Sequence, residues 1–200
     1  DMVWERLPVE FREAPWTGNG LIGSMIWYEE DRNLLRMQVF RSDVHDHTPF
    51  TQGNAGVARG RFQIGSFYLK PEGKITGCDM KLDLWNARLR GTIKTAKGTI
   101  GFSHFTHTSD LIIATTIEPT AGEKDCRWIW EPAKATTTRN RDLDFPSTPE
   151  QIEAVRERYR SRGKWITQVY DPDAHGEPEI AETDGVNYCR QTLKYGGEHA

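Results

Sequence analysis

The chain has 200 residues and a formal net charge of −3 at pH 7, with acidic and basic side chains interspersed along it. It has no long basic face, so we exclude nucleic acid and anionic membrane surfaces as partners. Hydrophobic residues make up 36% of the sequence, and no apolar run approaches the length of about 18 residues that spans a bilayer. We therefore predict a globular domain with a substantial core and no membrane span.

The cysteine content excludes one class of fold, and the tryptophan content leaves two functions open. Cys78, Cys126 and Cys189 are too few and too widely spaced for a disulfide scaffold or a zinc motif, and at least one of them has no partner within the chain. The 7 tryptophans lie mostly in or beside strand-like runs. Such large rings serve either as core packing or as platforms for the apolar faces of sugars.

The first clear strand follows a tight turn near the start of the chain. The residues Gly18-Asn19-Gly20 adopt positive φ at little cost, which predicts a sharp turn. The run at 22–28 is apolar on both of its faces, which is typical of a strand covered by another layer. A polar turn at 29–33 and a second alternating run at 35–40 complete a predicted hairpin.

Further alternating runs recur at intervals of about ten residues, with turn residues between them. They lie at 62–69, 80–85, 89–95, 100–104, 111–117, 126–130, 165–170 and 186–193. The first of these runs changes face across Gly65-Ser66, which predicts a bulged strand. We expect Ile26 and Leu84 to face the core. The pattern predicts an all-β fold, an antiparallel two-sheet sandwich.

One segment has helical rather than strand character, and it lies near residues 149–162. Thr148 is suited to the N-cap, Pro149 to the first helical position and Gln151 to a capping box. Gly163 is placed where a helix commonly ends. We therefore predict one helix within the sandwich domain.

The order of several motifs resembles the N-terminal β-sandwich of glycoside hydrolase family 95, the α-L-fucosidases, and of related glycosidases. The opening Ala14-Pro15-Trp16-Thr17-Gly18-Asn19-Gly20-Leu21-Ile22-Gly23-Ser24-Met25-Ile26 is similar to that family's Pro-Leu-Gly-Asn-Gly-Arg-Leu-Gly-Ala-Met. The segments 80–87 and 101–113 resemble two later strand regions of the same domain, and the likeness returns at 188–197.

The sequence also departs from that family. The fucosidases carry Gln-x-Asn-Glu-Asp-x-x-Trp after their second strand, whereas Gln38 is followed here by Val39-Phe40-Arg41-Ser42-Asp43 and lacks the Asn-Glu pair. An extra residue, Trp16 or Thr17, also separates Pro15 from Gly18. Fucose specificity is therefore not carried over.

The resemblance implies that residues 1–200 form the N-terminal sandwich of a larger glycoside hydrolase and that this domain is incomplete at its C-terminal end. In that family the catalytic groups lie on an (α/α)6 barrel after the sandwich, so we expect such a barrel downstream and assign no catalytic residue within this chain. The resemblance further implies an oligosaccharide or polysaccharide substrate and a secreted or bacterial periplasmic location. No phosphate-binding loop or nucleophile elbow occurs, and we expect no cofactor.

A long loop at 43–60 carries most of the remaining polar chemistry. Asp43 and Asp46 offer a carboxyl pair of the kind that glycoside hydrolysis uses, although many surface pairs do the same. His45 and His47 could share a metal ion, but no third ligand is visible and we expect no metal site. The later His104 and His107 are expected at strand ends or in hydrogen-bonded positions.

The turn at Asn19 and this loop are predicted to share one edge of the sandwich, because antiparallel strands return to where they began. That edge gathers Trp16, Asn19, Asp43, His45 and Asp46. We hypothesise that these residues order an interface with the catalytic domain or contact a bound sugar, without breaking the bond. A free-standing carbohydrate-binding module and a complete metal-dependent hydrolase using the loop around His45 are the alternatives.

Overall fold

A computed structural model describes most of the chain, and the statements below concern the residues that it describes. These are residues 1–45, 61–134, 150, 153–154, 157, 176–193 and 197–199. The chain divides into two compact units. The first comprises Asp1–Arg41 and Gly65–Glu131, and the second comprises Ser42–Ile64 and Pro132–Ala200.

Ten strands build the first unit. They are β1 (Met2–Trp4), β2 (Trp16–Gly18), β3 (Ile22–Glu29), β4 (Leu34–Arg41), β5 (Gly65–Lys70), β6 (Ile75–Asp83), β7 (Arg88–Thr95), β8 (Thr99–Thr106), β9 (Ile113–Pro119) and β10 (Arg127–Pro132). Short 3-10 helices lie at Phe11–Glu13, Glu30–Arg32 and Ala121–Glu123. One five-stranded sheet has the order β1-β6-β7-β8-β9, and a second has the order β10-β5-β4-β3-β2. The pairs with a described register are antiparallel.

The core of the first unit lies between these two sheets. Alternate residues of β3, β4 and β5 face alternate residues of β6, β7 and β8, because successive side chains of a strand point to opposite faces. The least exposed apolar side chains, at 1% or below, are those of Ile26, Leu35, Leu69, Cys78, Leu89, Ile93 and Ile100. The predicted antiparallel two-sheet sandwich is confirmed.

The expectation for Ile26 is confirmed, and the expectation for Leu84 is wrong. Ile26 is 1% exposed, whereas Leu84 is 59% exposed. The reason is that β6 ends at Asp83, whose carboxylate accepts the backbone N–H groups of Trp85 and Asn86 and turns the chain. The alternation of apolar residues continues past the last residue that is paired as a strand.

The bulged strand predicted across Gly65-Ser66 is also wrong. The strand β5 begins at Gly65, and Arg61 takes part only in an isolated bridge with His45. Gly65 has φ of +147°, a conformation that an L side chain rarely adopts, so the backbone changes direction there. Phe62 is buried in the second unit rather than on the same strand as Leu69.

The second unit contains a small antiparallel sheet with the order β11-β12-β13, comprising Glu179–Thr183, Val186–Leu193 and Gly197–His199. The middle strand is the one predicted at 186–193. A small apolar cluster joins Val44, Phe62 and Leu193, with Ile64 packed against it.

The helix predicted near 149–162 lies mostly outside the described residues. Glu150, Glu153, Ala154 and Glu157 have helical backbone geometry. The strand predicted at 165–170 lies entirely outside them. Within the described part of the chain, no helix has the length and apolar character needed to cross a membrane.

Candidate functional site

The edge of the second sheet at β2 and β3 carries the first two residues of the predicted site. Trp16 pairs with Met25 across the sheet, and its side chain is 59% exposed. The turn that follows depends on Gly20, which has φ of +92°. Asn19 stabilises this turn, because its Oδ1 accepts the backbone N–H groups of Leu21 at 3.0 Å and Ile22 at 2.9 Å.

The amide of Asn19 also reaches the other sheet. Its Nδ2 donates to the carbonyl oxygens of His107 at 2.9 Å and Asp110 at 3.1 Å, in the loop between β8 and β9. The two donors and two acceptor positions of an asparagine amide are therefore all engaged within the first unit. In this arrangement Asn19 holds two loops together at one end of the sandwich.

Of the remaining residues of the predicted site, the two that the structure describes belong to the second unit. Ile22 pairs with Arg41, so the start of β3 and the end of β4 lie at the same end of the sheet, as the hairpin argument requires. Asp43 and His45 belong to the second unit, where His45 Nδ1 lies 3.1 Å from the carbonyl oxygen of Asp43. Asp46 lies outside the described residues. The structure thus brings Trp16 and Asn19 onto one hairpin and describes Asp43 and His45 in a different unit.

A buried polar network lies between the two sheets, close to this hairpin. The ring of His104 is at its centre: Nε2 lies 2.7 Å from Ser24 Oγ and 3.1 Å from Thr17 Oγ1, and Nδ1 lies 2.8 Å from Thr115 Oγ1. Thr17 is bonded in turn to Thr106 at 2.8 Å. The prediction that His104 occupies a hydrogen-bonded position is confirmed.

This buried network has a structural role rather than a catalytic one. The spacing of Ser24 and His104 is one that a nucleophile and its base adopt. However, Ser24 is 0% exposed and His104 is 1% exposed, so a substrate cannot reach the pair. Burial lowers the pKa of His104 to about 4, which keeps the imidazole neutral at physiological pH.

A second group of residues, on the outer face of the second sheet, was not foreseen from the sequence. The guanidinium carbon of Arg36 lies 4.8 Å from the ring centroid of Trp27 and 5.7 Å from that of Tyr68. Arg36 also donates to Ser66 Oγ and Glu29 Oε1, each at 2.9 Å. This stacked and ion-paired arrangement fixes the side chain of Arg36 against the sheet.

The rings beneath Arg36 are largely enclosed, since Trp27 is 8% exposed and Tyr68 is 5% exposed. Arg32 lies 4.5 Å from the Tyr68 ring centroid and forms an ion pair with Glu131 on β10. The alternation of the sequence places these aromatic residues on one face, but the order of the strands was needed to align them. This face offers packed aromatic and charged groups rather than open rings.

The most exposed aromatic side chain among those described is Trp85, at 94%. It lies in the turn between β6 and β7, beside Leu84, which is 59% exposed. Asp83 fixes this turn, and the hydrogen bonds from Asn86 lower the pKa of the Asp83 carboxyl below its ordinary value. Trp85 is therefore presented to solvent on a turn of defined geometry.

The metal and thiol chemistry of the described residues is limited. Among them, no three His, Cys, Asp or Glu side chains are grouped so that they could hold a metal ion. The His45-Asp46-His47 motif extends beyond the described residues. Cys78, Cys126 and Cys189 are all free thiols.

Comparison of this chain with protein-family models and with curated protein sequences finds no match.

Proposed function

We propose that this chain is the non-catalytic N-terminal sandwich of a secreted or periplasmic glycoside hydrolase. In this proposal it packs on a catalytic barrel and shapes the cleft that receives an oligosaccharide or polysaccharide. The fold agrees with this proposal, since an antiparallel two-sheet sandwich is what the resemblance implies for the first domain of such an enzyme. Fold alone does not define a function, so the argument depends on what individual residues do.

The observation that carries the proposal is that residues in the motifs behind the resemblance form turns and internal hydrogen bonds of the sandwich. Asn19, in the first motif, holds the β2–β3 turn to the loop after β8. Asp83, in the second motif, forms the turn after β6. His104, in the third motif, bonds to Thr17, Ser24 and Thr115 inside the sandwich. Motifs that maintain a scaffold favour a domain that supports the chemistry of a neighbouring domain.

The exposed Trp16 provides a side chain through which this domain can contact a neighbouring domain. Trp16 is more than half exposed and lies on the same hairpin as the Asn19 turn. An exposed tryptophan at the edge of a sheet is suited to anchor an interface, where tryptophan often contributes a large share of the binding energy. We assign Trp16 to contact with the catalytic domain ahead of contact with sugar.

The test compares residues 1–200 with the natural polypeptide that contains them. Both are incubated with a panel of plant, bacterial and host glycans, and released reducing ends are measured. We expect hydrolysis by the longer polypeptide and none by residues 1–200. Hydrolysis by residues 1–200 alone contradicts the proposal, as does a longer polypeptide that cleaves no glycosidic bond.

A free-standing carbohydrate-binding module is the second candidate, and the exposure of Trp16 and Trp85 favours it. Exposed rings provide flat apolar surfaces on which sugar faces stack. Such a module binds a glycan without any other domain. Affinity electrophoresis of residues 1–200 in gels that contain each glycan separates the two candidates, because only the module is retarded.

A further inference from the structure

The strand β2 is the shortest strand of the second sheet. It has three residues, and it lies at the edge of that sheet, where its described pairing is with β3 alone. Its neighbour β3 has eight residues and pairs with both β2 and β4. A short edge strand opens at a lower free energy than a central one, because fewer hydrogen bonds are broken.

The inward side chain of β2 is Thr17, which is 4% exposed. Its hydroxyl bonds to His104 Nε2 at 3.1 Å and to Thr106 Oγ1 at 2.8 Å, and both partners lie on β8 of the opposite sheet. The inner face of β2 is therefore joined to the other sheet by polar contacts. In most of the unit the two sheets are held together by apolar side chains instead.

The ring of His104 has no charged partner that could stabilise an imidazolium. Burial is the single cause of its lowered pKa, and no charged neighbour contributes. The side chains bonded to the ring are the uncharged hydroxyls of Thr17, Ser24 and Thr115. The register gives three other titratable groups on inward-facing positions of the packed strands, none of them a carboxylate, namely Tyr28 on β3, Arg41 on β4 and Cys78 on β6.

We propose that His104 is an acid-sensitive latch, which in its neutral form fastens β2 and the exposed Trp16 to the opposite sheet and which releases them when the ring is protonated. The proton adds to the ring nitrogen that carries no hydrogen, and the ring becomes a double donor. The surrounding hydroxyls can rotate to accept from it, but no carboxylate bonded to the ring offsets the buried positive charge.

Water that reaches the ring then stabilises its positive charge. It enters where the fewest backbone hydrogen bonds have to break. Opening of β2 breaks three residue pairings and the flanking backbone bonds of Ile26 N–H to Pro15 and of Asn19 N–H to Ile22, whereas opening of β8 breaks seven pairings with β7 and seven with β9. The release is therefore local to β2 and the Asn19 turn. Acid conditions would change the presentation of Trp16 while the rest of the sandwich stays folded.

The experiment follows residues 1–200 by NMR between pH 7 and pH 3.5. The imidazole C–H signals of His104 report its protonation, and the amide signals of Thr17 and Asn19 report the state of β2. We expect the imidazole to titrate with a midpoint of about 4, and the β2 amides to shift and lose hydrogen-exchange protection with the same midpoint. Amides of β8 should keep their protection over that range.

Two variants and one control complete the test. In His104→Gln the ring is replaced by a side chain that donates and accepts but does not titrate near this pH, so the transition of β2 should disappear. In Thr17→Val the bond from β2 is lost, so β2 should lack protection even at pH 7 while His104 still titrates. His45→Gln, at a histidine of the second unit, is the control and should leave the transition of β2 as it is in the parent chain.

Three results overturn the proposal. One is a His104 midpoint near the ordinary histidine value of about 6.5. Another is protonation of His104 without any change in the β2 amides. The third is loss of β8 protection together with that of β2, which identifies the network as part of the global core rather than as a local latch.

Discussion

The carboxylate of Glu123 accepts a hydrogen bond from the backbone N–H of Gly73 at 2.8 Å, although the two residues lie 50 positions apart. It also accepts the N–H of Glu72 at 2.7 Å and the hydroxyl of Thr95. One fully buried side chain thus joins the turn between β5 and β6, the end of β7 and the short helix after β9. These contacts close the sandwich at the end opposite to Asn19.

Replacement of Glu123 by glutamine should destabilise the chain by about 2–4 kcal/mol. Hydrogen bonds to a charged group contribute about 1.5–3 kcal/mol each, and the amide NH2 of glutamine would face a backbone donor. Thermal and urea denaturation measure the change in the free energy of unfolding. Glu118→Gln, at an exposed position of β9, is the matched control and should change stability by less than about 0.5 kcal/mol. An equal, small effect of both variants would show that the Glu123 contacts contribute little.

The loops around Glu123 approach closely at Gly122. A Cβ at Gly122 would lie 2.0 Å from the carbonyl oxygen of Lys97, a distance that requires the backbone to move. We expect Gly122→Ala to cost about 3 kcal/mol, at the upper end of the usual penalty for overpacking. Gly77→Ala is the control, because a Cβ there meets nothing within 4 Å, and it should be neutral or slightly stabilising. Similar melting temperatures for the two variants would contradict this account of the loop packing.

The contrast between Ile26 and Leu84 is open to a direct comparison. Ile26→Ala removes a side chain that is 1% exposed and should cost about 2–5 kcal/mol, through lost burial and the cavity left behind. Leu84→Ala removes a side chain that is 59% exposed and should cost less than about 0.5 kcal/mol. Chemical denaturation measures the free energy of unfolding of both variants. The two values can be compared directly when both variants show the same dependence on denaturant concentration. A loss at Leu84 as large as that at Ile26 would mean that Leu84 is covered in solution.

Alternation along the sequence was sufficient to find most strands and the face of Ile26, because burial between two sheets repeats every second residue. It failed at Leu84, because a pattern of side chains does not show where backbone pairing stops. Asp83 followed by Asn86 was the available signal, since aspartate often accepts backbone N–H groups two and three residues later.

Long-range polar contacts were beyond the reach of the sequence pattern. Asn19 was recognised as a turn residue from its flanking glycines. Its bonds to His107 and Asp110 join residues that are 88 and 91 positions apart, and only the order of the strands brings them together. The same holds for Arg36 between Trp27 and Tyr68, which needed the register of three strands.

The stability of the chain should fall as the pH drops below about 6.5, because His104 is neutral in the folded chain. Its pKa is lowered from 6.5 to about 4, so the unfolded chain binds more protons than the folded chain between these values. The free energy of unfolding therefore rises with pH across this window and is fully developed above it. A shift of this size corresponds to about 3 kcal/mol.

Urea denaturation at several pH values measures this dependence. His104→Gln should remove that share of the dependence between pH 4 and pH 6.5 and leave the contribution of Glu123, whose lowered pKa acts at more acidic pH. If the free energy of unfolding changes equally with pH in the parent chain and in His104→Gln, then His104 is not the source of the pH dependence.

The last prediction concerns the two exposed tryptophans and distinguishes an interface from a sugar platform. Trp16→Ala and Trp85→Ala should each change the stability of residues 1–200 by less than about 0.5 kcal/mol, because the side chains are 59% and 94% exposed. If the proposed glycoside hydrolase is the parent of this chain, Trp16→Ala in that longer protein should lower the melting temperature of the two domains together and the rate of glycan hydrolysis. The physical reason is that an aromatic anchor at an interface commonly contributes about 2 kcal/mol or more.

Calorimetry on both forms of the protein, with and without each substitution, provides the measurement. An interface requires that the effect of Trp16→Ala appears only in the longer polypeptide, since the isolated chain has nothing to lose there. A sugar platform requires a different result, in which residues 1–200 alone bind a glycan and either substitution weakens that binding about tenfold or more, as removal of one stacking ring does. If Trp16→Ala leaves the stability, hydrolysis and glycan binding of both forms unchanged, the edge formed by β2 and the Asn19 turn takes no part in the function.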